Sequence, residues 1–149
     1  MLKSKLLHPE ILGGLASAGH LAKVLISDGN YPSSTKPNPR AKIVWANFTP
    51  GVVDGCTMLR LVCQVIPVEA VEVMAPAKTG QYAMANDPPI WNEYRKILRE
   101  HSDFRGEFIP LQKQPFSTSR DPSRRVIQSH TSRAQVVLAR STSPISPIA

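Results

Sequence analysis

The chain has 149 residues, 42% of them apolar, enough for one compact domain with a sizeable core. No run of about 18 apolar residues occurs, and the apolar part of the first eight residues is too short for a signal peptide, so the reading is a soluble, cytoplasmic protein. The formal charge of +7 is uneven: residues 1–104 carry eleven Lys and Arg against nine Asp and Glu, whereas residues 105–149 carry seven against two. The tail cations Arg120, Arg124, Arg125, Arg133 and Arg140 are scattered and lack interleaved aromatics, a pattern of solvated surface more than of a nucleic-acid grip.

Pro9 suits the first turn of a helix, and Ile11, Leu12 and Leu15 follow at helical spacing, with Gly19 as the expected stop. Lys23 to Ser27 is a short apolar run and reads as a buried strand. It ends in Asp28-Gly29-Asn30-Tyr31-Pro32, a dense turn signal. Ile43 to Ala46 reads as a second strand, and Thr49-Pro50-Gly51 as a turn. Asp54 is placed to cap a helix carrying Met58, Leu59, Leu61, Val62 and Val65, which Pro67 would end. Val68 to Met74 is a third strand, followed by a loop from Pro76 to Asn86. Asp87 reads as the cap of a third helix with Pro88 just inside it and an apolar stripe of Trp91, Tyr94, Ile97 and Leu98. Phe108-Ile109, Val126-Ile127 and Val136 to Leu138 are further short strands. Strands alternating with helices predict an α/β domain over residues 1–140, with a mixed, partly parallel sheet flanked by helices and a frayed tail at 141–149.

The two cysteines, Cys56 and Cys63, lie seven apart on one expected helix face, a separation that a disulfide does not bridge, and no complementary ligand pair completes a zinc set. They read as unpaired, small apolar side chains. The phosphate-loop, dinucleotide and hydrolase-elbow patterns are all absent from the sequence, so no cofactor is implied.

The stretch with chemical content runs from Ala18 to Pro32. It sets His20 after a helix end and Asp28 at the carboxyl end of a strand, the edge where ligands bind in open α/β sheets. A His there is able to move protons near neutral pH. The same residue types also serve simpler ends: a His completing a helix terminus and an Asp opening a turn.

Gly19-His20, the apolar strand and Asp28-Gly29-Asn30-Tyr31-Pro32 together resemble the signature of the D-ribose pyranase / L-fucose mutarotase family. Two further segments agree. Thr49-Pro50-Gly51-Val52 through Ile66-Pro67-Val68-Glu69 is similar to the family's middle helix and following strand. Pro89-Ile90-Trp91-Asn92-Glu93-Tyr94 is similar to the Pro-x-Trp-x-Glu-Tyr of the fucose branch. The resemblance covers about the first two thirds of the chain.

It implies a cofactor-independent sugar isomerase acting on a monosaccharide such as L-fucose or D-ribose, with His20 catalytic and Asp28 binding the sugar. It also implies a ring-like homo-oligomer, most commonly a decamer. In the last third the family's Tyr-x-Asn stands here as Arg133 and Gln135, and its Gly-Glu turn and closing Gly-Val are missing. Lys113 is the nearest candidate for a basic sugar contact before them. These replacements motivate a rival reading, a member of the family that holds a sugar but turns it over poorly. A nucleic-acid-associated protein on the same fold would rest on the basic tail alone.

Overall fold

The run Lys23–Ser27 forms β1, and every residue after the first is buried, as expected of a central strand covered on both sides. The computed structural model describes residues 2–19, 22–29, 31–32, 35, 37, 41–46, 49, 51–81, 83–112, 124–128 and 136–139. Among them the order is α1 (Pro9–Ala16), β1, β2 (Ile43–Trp45), α2 (Gly55–Cys63), β3 (Ala70–Met74), α3 (Ile90–His101), β4 (Ile109–Leu111), β5 (Arg124–Gln128) and β6 (Val136–Ala139).

The six strands form one sheet in the order β2-β5-β1-β6-β3-β4. β1, β2 and β5 run parallel, as do β3 and β4, while β6 is antiparallel to both β1 and β3. Five strands therefore point the same way, and their carboxyl ends share one edge of the sheet. This is the expected α/β domain with a mixed, partly parallel sheet.

Alternation along the strands sorts the side chains. Val24, Ile26, Val44, Val71 and Val73 face the helices. They join Ile11 and Leu15 of α1, Met58, Leu59, Val62 and Cys63 of α2, and Trp91, Tyr94, Ile97 and Leu98 of α3 in one apolar core. Leu25, Ile43, Met74 and Leu111 point the other way and gather with Tyr31 in a second, smaller cluster. On that same face Lys23 of β1 reaches across β6 to Glu72 of β3, with Nζ 2.7 Å from Oε1.

Several element ends fall elsewhere than the sequence reading puts them. α1 stops at Ala16, before Gly19: Ser17 closes it, with its amide donating to Gly13 O and its hydroxyl to Gly14 O. α2 ends at Cys63, ahead of Pro67, because the chain tightens through amide bonds from Val65 and Ile66 to Val62 O. Val65 consequently lies beyond the helix and is exposed. Asp87 does not cap α3, which begins at Ile90. Its carboxylate pairs instead with Arg95, 3.2 Å away, one turn inside the helix. Arg95 in turn lies over the Phe108 ring at 4.9 Å, so the Asp87 pair tethers the loop to the α3–β4 junction.

Cys56 and Cys63 both sit on α2 and are free thiols, Cys63 buried and Cys56 half-buried. Among the described residues no helix is long and apolar enough to cross a membrane. Residues 141–149, read as a frayed tail, lie outside the described residues.

Candidate functional site

Asp28 follows β1 directly and is half-buried at the carboxyl edge of the sheet. Its carbonyl accepts the Tyr31 amide at 3.2 Å, which closes the turn that the Asp-Gly-Asn-Tyr-Pro sequence calls for. Tyr31 is buried against Leu25, so the turn is pinned at both ends and the aspartate is held in place by packing.

The amino terminus of α2 belongs to the same neighbourhood, since α2 packs on β1 and on α3. Asp54 caps it, accepting the Thr57 amide at 2.6 Å, as its position before the apolar stripe implies. The turn before it, Thr49 to Val52, closes through the Val52 amide on Thr49 O. It needs Gly51 at a φ of 81°, a conformation that costs glycine little and other residues more.

Tyr94 stands on α3, which packs against α2, and belongs to the helix-side core. Its side chain is 1% exposed, and among the described residues its hydroxyl has no hydrogen-bond partner. Burial pushes that hydroxyl's pKa above its ordinary value, and Cys56, Asp54 and Asp28, in that order, push it further. Burial likewise raises the Cys56 thiol, Asp54 and Glu93 add to the shift, and Arg60 opposes it. Among the described residues, the acidic groups Asp28 and Asp54 and the Cys56 thiol thus act on the Tyr94 hydroxyl. An unpaired buried hydroxyl costs about 1–3 kcal/mol, so Tyr94 is an expensive residue to keep in an otherwise apolar stripe. The sequence reading made Tyr94 a core or interface residue on the strength of that stripe.

Of the other residues singled out in the sequence, His20, Lys113, Arg133 and Gln135 lie outside the described residues. Their chain neighbours bear on the geometry. Gln128, which ends β5, pairs with Ser27, and Val136, which opens β6, pairs with Ile26. Gln128 and Val136 are therefore both placed at the end of β1 that leads into Asp28. At the other end of β1 the Ala22 amide donates to Gly19 O at 3.2 Å. At a strand rise of about 3.3 Å per residue, Ala22 and Asp28 stand roughly 20 Å apart.

His8 stands at the N-cap of α1 without a side-chain capping bond, and His101 closes α3, half-buried and 3.9 Å from Glu100. Among the described residues no group of three or more His, Cys, Asp or Glu is arranged to hold a metal ion.

The model of the RbsD / FucU transport protein family matches residues 1–134. The chain belongs to that family. Among solved structures, the fucose mutarotase of Streptococcus pneumoniae in complex with L-fucose superposes with a TM-score of 0.74 at 22% identity, covering 96% of this chain and all (100%) of that one. FucU from Bifidobacterium longum gives 0.74 at 23% identity, over 91% of this chain and 94% of its own. RbsD of Bacillus subtilis complexed with D-ribose gives 0.72 at 19%, over 95% and 98%. At these identities the likeness is one of fold. A search of curated proteins finds no match.

Proposed function

We propose that this protein is a monosaccharide mutarotase that interconverts the anomers or ring forms of a sugar such as L-fucose or D-ribose by acid–base ring opening, without a cofactor. The observation that carries the reading is the family match over residues 1–134, on a fold shared with structures solved with L-fucose and D-ribose. Asp28 at the carboxyl edge of β1 supplies the matching local chemistry.

Mutarotation opens a cyclic hemiacetal and closes it again. One group protonates the ring oxygen while another takes the proton of the anomeric hydroxyl, and no covalent intermediate forms. His20 is assigned the proton transfer. Asp28 accepts a hydrogen bond from a sugar hydroxyl and fixes the ring. Lys113, Arg133 and Gln135 are further sugar contacts, the last two standing where the family has Tyr and Asn.

On this reading His20 and Asp28 line one shared pocket, close enough for a single monosaccharide to touch both. The proposed homo-oligomer is a ring, with a decamer as the family's commonest form. A cytoplasmic location goes with this reading.

Saturation-transfer NMR on a panel of sugars measures anomer exchange directly. Exchange with L-fucose or D-ribose faster than in buffer is the expected result. His20→Ala is expected to slow it about 10²–10⁴-fold, the usual loss for a general acid–base group. Asp28→Asn is expected to weaken sugar binding as well as rate, while His101→Ala leaves both unchanged. The replacement of the family's Tyr and Asn by Arg133 and Gln135 favours one second reading, a sugar-binding member without turnover. Binding at wild-type exchange no faster than buffer would establish it.

A further inference from the structure

Independently of the sugar reading, we infer that a cavity at the amino edge of the sheet is an oxyanion site that takes phosphate, free or as a small monoester. The cavity has a volume of about 130 Å³ and lies between the second half of α3 and the loop that leads into β4. β4 runs in the same direction as β1, so this is the end of the sheet opposite Asp28. Among the described residues Arg95, Arg99 and Arg105 line the cavity, and the buried side chains of Leu98, Phe104 and Phe108 form its floor. At about 30 Å³ per water it has room for roughly four, enough for one tetrahedral oxyanion.

Three guanidiniums on one small cavity are more than the fold requires. The dipole of α3 accounts for a cation in its last turn, but not for Arg95 one turn earlier or for Arg105 beyond the helix. Arg95 and Arg99 are moreover like charges four residues apart, a pairing that weakens a helix. Two of the three are held in place. Arg105 Nη1 donates to Ser102 O at 2.9 Å and to Phe104 O at 2.8 Å. Arg95 donates to Asn92 Oδ1 and Asp87 Oδ2, each at 3.2 Å, and lies over the Phe108 ring. Gly106 fixes the wall between them: a Cβ there would stand 2.9 Å from the Phe104 ring, so the loop sits directly on the aromatic floor. Arg99 has no hydrogen bond or ion pair among the described residues. The carboxylates that oppose these charges among the described residues are Glu107 on the lining and Asp87 on Arg95, two against three. A guanidinium presents a planar fork of donors that matches two oxygens of a phosphate. The whole Arg99 fork and the remaining donors of Arg105 are available for that, and the apolar floor accommodates the ester group of a monoester.

The test is calorimetric titration of the full chain with inorganic phosphate at constant ionic strength. Saturable binding by the wild type is expected, and Arg99→Gln is expected to lower the affinity about 10–100-fold, the loss of charge-assisted hydrogen bonding. Arg99→Lys, which keeps the charge without the fork, should fall between the two. Lys96→Gln removes a cation of the same helix that does not line the cavity and should leave the affinity unchanged. Arg99 is exposed, so its variants are expected to unfold at the wild-type temperature, while phosphate raises the midpoint of the wild type more than that of Arg99→Gln. Phenyl phosphate separates the two sources of the ligand: tighter binding than inorganic phosphate assigns the site to a monoester resting on the floor, and equal or weaker binding assigns it to the free ion. Wild-type protein that binds neither overturns the inference. So does an Arg99→Gln affinity equal to that of the wild type, or an equal loss in Lys96→Gln, which would be the diffuse field of a cationic chain. The sugar reading stands or falls separately, on anomer exchange.

Discussion

On one face of the sheet three helices seal Val24, Ile26, Val44, Val71 and Val73 into a continuous apolar core. On the other, a handful of residues around Leu25 and Tyr31 share the surface with the Lys23–Glu72 ion pair and with the exposed side chains of Trp45 and Ile109. The first face is built from branched aliphatics and aromatics in contact with one another and carries most of the folding free energy. The second mixes apolar and charged groups in the manner of a surface that meets something else. Within the first face the Tyr94 hydroxyl is buried without a hydrogen-bond partner among the described residues.

The largest expected contrast lies in truncating one leucine on each face. Leu59 is fully buried beneath α2, and Leu59→Ala is expected to cost about 2–5 kcal/mol through lost transfer and a residual cavity. Leu111, half-buried on the edge strand of the other face, is expected to cost about 1 kcal/mol in Leu111→Ala. Urea unfolding with unchanged slopes measures both. Equal losses would mean that the second face is as closely packed as the first and would break the comparison.

Where the sequence was legible, periodicity had a strong physical cause. The Trp91, Tyr94, Ile97 and Leu98 stripe, the Lys23–Ser27 strand and the Asp54 cap are each fixed by burial or by a single local hydrogen bond. Helix ends were harder. Ser17 and Gln64 end α1 and α2 by local backbone bonding that competes with Gly19 and Pro67 and wins earlier in the chain. Asp87 had the right type and position for a cap but found Arg95 as a partner instead. At the site, Asp28 was legible because a turn signal directly follows a buried strand. The unpaired state of the Tyr94 hydroxyl was not, since it depends on what α2 and β1 bring alongside α3.

The two thiols of α2 sharpen the comparison from within the core. Burial pushes the Cys63 thiol from 9.0 up to about 12, and in the unfolded chain it returns to the ordinary value. A folded-state pKa above the unfolded one means that the stabilisation is complete below about pH 9 and is lost as pH rises toward about 12. The buried, protonated thiol of Cys63 therefore makes the protein less stable with each step in that window. The wild-type urea midpoint is expected to fall more steeply between about pH 9 and 11 than that of Cys63→Ala, whose side chain does not ionise. Tyr94 acts in the same direction and steepens both curves alike. Parallel curves would show that Cys63 is ionised in the fold, and hence that the helix face is wetter there than its burial indicates.

The smallest effect tests the other face most directly. The chain has two tryptophans, Trp91 in the helix-side core at 7% exposure and Trp45 on the edge strand β2 at 55%. Trp45→Phe is expected to change stability by less than about 0.5 kcal/mol, as for most exposed positions. Its emission should keep only the blue, poorly quenched component of Trp91. That makes Trp45 a reporter of whatever covers this face. An exposed indole beside Ile43, one strand from the buried Leu25 cluster, is costly to leave in water, and a second copy of the chain is the occupant that the proposed oligomer supplies. Acrylamide quenching of Trp45 in the wild type is expected to fall as the protein is concentrated, in step with the rise in sedimentation coefficient. If the coefficient rises while Trp45 stays quenchable, the copies meet elsewhere, and the mixed face of the sheet is free for a different use.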